Sequence, residues 1–261
     1  MHKKLTIISI VLWSLVLAAA VCAFAFLSSH FGTFGSYFGP EEGNYTIVKE
    51  ETIGGSFEDI TINWISGNLN LLKSDTDEIR VVQRARSGFP KKRMFYFDSH
   101  GTSLEIEDGR NRWLNFGFWS TASDLDVYLP EKEFRSLSIE QVSCDLKGDG
   151  IHVKELEVDS VSGRIDLTGS FEKISANSVS GSIDIVSDTM LKEFELDAVS
   201  GSTTLTLPEN DGFTFTFEKV SGSFSSDFSC SQNGEKYVYK DGRAEFSADV
   251  VSGSVRLKRA E

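Results

Sequence analysis

Asp166 and Asp184 are the residues whose type and spacing most invite a catalytic reading. They hold the same place in two adjacent copies of a short repeat, Ser-Val-Ser-Gly-Arg-Ile-Asp-Leu and Ser-Val-Ser-Gly-Ser-Ile-Asp-Ile. If the copies stack as strands, the two carboxyls lie about 5 Å apart, near the separation of a retaining glycosidase pair. The next copy carries Thr204 at that place, and Ile165, Leu167, Ile183 and Ile185 alternate with the acids. Such alternation makes both acids the solvated face of two strands, so a polysaccharide-acting enzyme ranks behind a non-enzymatic reading, and no residue is assigned a catalytic role.

The other reactive side chains fit that reading. The repeated serines have no recurring base beside them and no G-x-S-x-G elbow is present, so they read as turn residues. His100 and His152 stand in separate segments without metal-ligand spacing, and Asp124 and Asp126 lack an EF-type loop and read as the outward face of a strand. Neither a metal nor a cofactor is expected. One stretch differs in sign from the rest. Arg84, Arg86, Lys91, Lys92 and Arg93 surround Ser87-Gly88-Phe89-Pro90, and Arg110, Arg112, Trp113, Phe116, Phe118 and Trp119 follow. Cations beside aromatic rings suit an anionic or carbohydrate polymer. Arg84, Arg86, Lys91, Lys92, Arg93, Arg112, Trp113 and Trp119 are therefore the candidate polymer-binding residues. The competing reading is a solvated loop next to a core strand, since Leu114, Phe116 and Phe118 alternate.

These residues must be positioned by something outside the cytosol. After a short n-region, residues 1–4, the run Leu5 to Leu27 carries no charge and is long enough to span a hydrocarbon core about 30 Å thick. Lys3 and Lys4 precede it and the next charge is Glu41, which places the N-terminus inside and the remainder outside. The expected localisation is the cell membrane, with one pass and an extracytoplasmic C-terminal domain. Ala23-Phe24-Ala25 offers signal-peptide cleavage, but the run outlasts a usual h-region and favours an uncleaved anchor. Cys22 follows Val21, too bulky for a lipobox, and reads as a membrane-embedded thiol. Residues 28–43, rich in Gly, Ser and Phe, form a linker. Without Lys3 and Lys4 the chain has 24 basic against 39 acidic side chains, a formal charge near −15. That balance argues against nucleic acid and against close docking on anionic lipid without identifying a partner; an envelope polymer or a surface protein is the expected partner class. Cys144 and Cys230 alone lie in the exported part, too few for a disulfide framework.

Residues 44–258 read as all-β. Val-Ser-Gly recurs with its glycine at Gly163, Gly181, Gly201, Gly222 and Gly253, and variants place Gly67 and Cys144 in the same slot. From Cys144 the slot advances by 19, 18, 20, 21 and then 31 residues, the last step crossing an insertion around Ser231 to Asp241. Each unit reads as a strand, a corner and a second strand, and the parity of apolar residues changes at the corner. Stacked units would form a β-solenoid, a parallel β-helix-like fold, with Val161, Val179, Val199 and Val220 as a buried ladder and the corner glycines at φ > 0. Antiparallel hairpins folded as a sandwich or roll are the alternative. The 76 residues between Gly67 and Cys144 read as degenerate or looped-out coils that cap one end.

A membrane anchor followed by ITINWISGNLNL, DLDVYLPEKEFRSLSIEQVS, SVSGRIDL, SVSGSIDI and AVSGSTTLTLPENDGF resembles the bacterial putative-adhesin domain of unknown function, the LiaG-like family. The resemblance covers roughly Asn44 to Leu257. It implies a β-solenoid-like cell-surface domain with a binding or scaffold role and no assigned catalytic residues. A membrane-bound accessory role in envelope-stress signalling is the alternative it implies. Cys144 departs from the pattern by standing where a corner glycine is expected.

Overall fold

Apolar and polar residues alternate along nearly every segment, and the chain answers with strands. The structure, a computed structural model, describes residues 45–109 and 122–260. Fourteen strands form one sheet: β1 (Tyr45–Ile53), β2 (Asp59–Lys73), β3 (Ile79–Arg86), β4 (Tyr96–His100), β5 (Ser103–Glu107), β6 (Asp124–Leu129), β7 (Phe134–Ser162), β8 (Arg164–Ser178), β9 (Ser182–Ser187), β10 (Glu193–Leu207), β11 (Gly212–Ser226), β12 (Ser231–Asn233), β13 (Lys236–Lys240) and β14 (Ala244–Arg259). Among the described residues no helix is long and apolar enough to cross a membrane. The anchor expected over 5–27 and the linker over 28–43 lie outside the described residues.

The repeat units pair in parallel and in register, as stacked rungs do and as sequential hairpins do not. Ser66 pairs with Ser143 and Gly67 with Cys144; Leu146 pairs with Ile165 and Ile165 with Ile183; Ser202 pairs with Ser182. Inward-pointing residues of each rung form columns, Leu69, Leu146, Ile165 and Ile183 after the corner and Leu137, Leu156, Ile174 and Phe194 before it, all at most 2 % exposed. The order of rungs departs from the order of the chain. Gly201 pairs with Gly253, and Gly253 with Gly222, so β14 enters between β10 and β11. Phe246 of β14 explains the fit: it meets Phe194 edge-on at 6.1 Å and stacks on Phe213 at 4.9 Å, making one aromatic core through three rungs.

The valine ladder is corrected. Val142 is 48 % exposed and Val220 83 % exposed, and Val161, Val179 and Val199 are half-buried on the outside of the bend. The parity change does occur at the corner, but the residue before the valine is the one that points inward: Trp64, Gln141, Ser160 and Val250 are buried. Valine stands on the convex side of the turn. The serine after it bonds back to the preceding rung, as Ser162 Oγ does to Val142 O at 3.2 Å and Ser200 Oγ to Val179 O at 3.3 Å.

The corner glycines also divide. Gly67, Gly163, Gly181 and Gly201 have φ between +117° and +135°, whereas Gly222 and Gly253 do not have positive φ. Space is what all six share. A Cβ on Gly222 would lie 2.6 Å from Gly253 O, and one on Gly253 2.5 Å from Gly201 O. Cys144 fits the slot with its side chain turned inward, 2 % exposed and with Sγ 3.5 Å from Trp64 O.

Antiparallel strands close the two ends. β5 and β6 add a broken rung to the outer side of β2, and β4, β3 and β1 pair beyond them, so the described part of the excursion between Gly67 and Cys144 holds both a degenerate rung and cap strands. At the far end the insertion folds as the β12–β13 hairpin and covers Gly212 to Thr216 of β11.

Candidate binding surfaces

The basic segment falls at the capped end, and the structure splits it. Arg84, on β3, gives its guanidinium to Asp126, whose side chain is 2 % exposed and also accepts Asn70 Nδ2 at 2.7 Å. Beside it Gln83 is fully buried: Nε2 donates to Ser123 Oγ at 3.0 Å and Oε1 accepts Phe95 N at 2.9 Å. This network pins the loop after β3 to the end of the stack, so Arg84 is committed to structure. Asp126 is thereby corrected from an outward to a buried carboxylate, because Arg84 and Asn70 compensate its charge. Asp124 accepts Asn68 N at 2.8 Å and Nδ2 at 3.0 Å.

Lys91, Lys92 and Arg93 form one 3-10 turn after Pro90. Lys91 and Lys92 are exposed, Arg93 is half-buried, and Arg86 is exposed at the end of β3. Lys49 joins them from β1: its ammonium donates to Phe95 O at 3.0 Å and sits 4.4 Å from the Phe95 ring centre. Lys91 and Lys92 are thus exposed cations that a polymer could meet. Arg112, Trp113 and Trp119 lie outside the described residues.

A second surface was invisible in the repeat reading because its members differ in type. Four residues before each corner slot stand Asn63, Glu140, Asp159, Asn177, Asp197, Asp249 and Glu218, and pairing aligns them across the rungs. Asn177 Nδ2 donates to Asp159 Oδ1 at 2.7 Å and Asn63 Nδ2 to Glu107 Oε1 at 2.8 Å. No amide separates Asp197 from Asp249. Burial, then the charges of Asp249 and Glu195, push the Asp197 carboxyl up to about 6, and burial followed by Glu218 pushes Asp249 up. Beside this column Ser136, Ser138, Glu157, Lys173, Ser175 and Glu195 line an open groove of about 270 Å³.

Of the remaining candidates only the two aspartates are brought together. Asp166 and Asp184 pair in register, both exposed, with Lys147 on one side and Thr204 on the other. His100 is exposed beside Asp98, 3.4 Å away, and His152 is half-buried on β7. Among the described residues no group of three potential ligands could hold a metal ion. Cys144 sits in the second corner and Cys230 beyond β11, with the rungs of β8, β9, β10 and β14 between them. At about 4.8 Å per rung they are far beyond disulfide reach.

Comparison with known proteins bears on this geometry. Residues 133–258 match the Toastrack DUF4097 family. The crystal structure of a putative cell adhesion protein from Clostridium sporogenes is similar over 81 % of this chain and 99 % of its own, at 18 % identity and a TM-score of 0.52. That likeness is one of fold. Putative adhesins from Bacteroides fragilis and Parabacteroides distasonis, each 10 % identical, cover 80 % and 83 % of this chain and 97 % and 98 % of their own, with TM-scores of 0.36 and 0.35. No curated protein matches the chain.

Proposed function

We propose, from the premise that residues 133–258 are a Toastrack domain, that this chain is a non-enzymatic envelope protein that presents a β-solenoid as a binding surface. The anchor expected over 5–27 would hold it to the membrane with the stack outside. The observation that carries the reading is the form of the surface. Rungs in parallel register repeat their outward side chains at about 4.8 Å, which suits an extended partner. The groove of about 270 Å³ is open and of mixed lining, with Leu137, Leu156 and Ile174 between its polar residues, and it lies below the roughly 300–1,000 Å³ of pockets that enclose small molecules.

The partner class is an anionic envelope polymer, engaged at the 3-10 turn that carries Lys91 and Lys92. Lys91 and Lys92 are exposed there, and their attraction for an anion is of a kind that physiological salt screens beyond about 8 Å. The test is co-sedimentation of the protein with isolated cell-wall material. Binding is expected to fall as salt is raised, and Lys91→Glu with Lys92→Glu is expected to abolish it while leaving thermal unfolding unchanged, since exposed loop charges contribute little to stability. Equal sedimentation of wild type and the doubly reversed protein would remove the polymer site.

A further inference from the structure

The long step between the last two corners is taken up by the β12–β13 hairpin, and its turn carries Asn233-Gly234. Of the nine asparagines in the chain, this one alone is followed by glycine. The structure adds a second distinction. The side-chain amides of Asn63, Asn68, Asn70, Asn177 and Asn210 each donate a hydrogen bond. Asn233 is exposed, and among the described residues its amide has no partner.

The turn leaves this amide beside an open backbone nitrogen. Asn233 pairs with Lys236, so Gly234 and Glu235 form a two-residue loop. Gly234 has φ +63° and Glu235 does not have positive φ, the pattern of a II′ turn with glycine in its first central place. Glycine serves the turn, and it also removes the side chain that would shield its own nitrogen. A Cβ there would meet nothing within 4 Å, so that side of the peptide lies open. β12 is three residues long, all exposed, and among the described strands it pairs with β13 alone. Such a strand opens locally at little cost, which frees the backbone rotation that brings Asn233 Cγ to the Gly234 nitrogen.

We propose that Asn233 is a site of spontaneous deamidation, and that its conversion loosens the tip of the hairpin that covers the last rung. The Gly234 nitrogen gives its proton to hydroxide and attacks Asn233 Cγ. A nitrogen–carbon bond forms, the bond from Cγ to Nδ2 breaks, and Nδ2 leaves as ammonia after taking a proton from water. Water then opens the five-membered imide. Cleavage at Cγ gives aspartate; cleavage at the main-chain carbonyl gives isoaspartate, in which the chain runs through Cγ. Both products add a negative charge, and isoaspartate adds one carbon to the backbone. Loop length fixes the register of a hairpin, so the added carbon takes residue 233 out of step with Lys236. Glu235 O, which accepts Phe217 N of β11 at 2.9 Å, follows directly after the modified bond. Farther along β13, Tyr237 and Tyr239 stay packed on Phe224 and Phe213, with ring centres 4.6 and 5.5 Å apart, and confine the loosening to the tip.

The experiment is incubation of the full-length protein in detergent at mildly alkaline pH, followed by proteolysis and mass spectrometry. The peptide holding Asn233 is expected to gain one mass unit and to split into aspartyl and isoaspartyl forms. It should convert at least about tenfold faster than the peptide holding Asn177, whose hydrogen bond and strand must first be given up. Amide hydrogen exchange then reads the hairpin: in the isoaspartyl protein the Phe217 N–H should exchange about tenfold faster, with that of Ile183 unchanged. Asn233→Gln keeps an amide but needs a larger ring, and should show neither change. Conversion at Asn177 as fast as at Asn233 would overturn the site. Complete isoaspartate formation without faster exchange at Phe217 would overturn the loosening, and so would an equal increase in incubated Asn233→Gln.

Discussion

Gly181→Ala tests whether the corners are held by close approach of neighbouring rungs or only by the backbone angle. Gly181 has φ +135°, and a Cβ there would lie 2.1 Å from Gly163 O and 3.2 Å from Gly163 C. The obstructing atoms are backbone of a paired rung, which cannot rotate aside as a side chain would. A strained φ costs about 1–3 kcal/mol, and forcing atoms into a packed interior costs about 1–3 kcal/mol more. The expected loss is about 3–5 kcal/mol. Gly150 supplies the comparison, because it too has positive φ, +67°, but a Cβ there meets nothing within 4 Å. Gly150→Ala carries the conformational cost alone, about 1 kcal/mol. Urea unfolding of the two full-length variants in detergent, followed by tryptophan fluorescence, measures the difference. Equal midpoints for Gly181→Ala and Gly150→Ala would refute the argument that rung-to-rung contact selects glycine at these corners.

Other perturbations probe separate links. Arg84→Ala leaves the buried Asp126 carboxylate with the Asn70 amide but no cation and is expected to cost about 2–3 kcal/mol; Arg84→Met with Asp126→Leu should recover most of it in the same assay, and no recovery would show that the pair does more than neutralise a charge. Asp197 has its pKa raised to about 6, so the folded state binds the proton more tightly than the unfolded chain does. Its penalty is therefore full above about pH 6 and gone below about pH 4, and stability should rise as the pH falls from 7 to 5. Asp197→Asn should flatten that rise and gain on the order of 1 kcal/mol at pH 7.5 after allowing for solvent screening, and a wild-type protein no more stable at pH 5 than at pH 7.5 would contradict it. Val220→Ser should change stability by less than about 0.5 kcal/mol, whereas Ile183→Ala, in the buried column, should cost about 2–5 kcal/mol; similar losses would restore the valine ladder.

Much of the candidate surface was legible because charge is visible in a sequence. The run from Arg84 to Arg93 stood out against a domain near −15, and the structure leaves Arg86, Lys91 and Lys92 on its outside. Arg84 could not be told from them, since its partner Asp126 is 42 residues away and buried only by β3 and β6 coming together. The acidic column was missed for a related reason. Its members are Asn, Asp and Glu in no fixed order, so no one residue type recurs at every corner, and only the distance to the corner slot marks them. Counting four residues back from each corner would have found all seven.

What the amino-acid order determined by itself is local: strands from period-two alternation, corners from Val-Ser-Gly at steps of 18 to 21 residues, and parallel register from the equivalence of those corners. Equivalence has a cost in information. Each corner can stack on any other, so the motif sets how two rungs align and is silent on which two are neighbours. Tertiary packing decided that, and it placed β14 between β10 and β11 because Phe246 completes the core between Phe194 and Phe213. Packing likewise decided which side of the bend valine occupies. Alternation gives relative parity along an arm, but at a corner the chain can turn either flank inward, and here the position of Trp64, Gln141, Ser160 and Val250 took the interior.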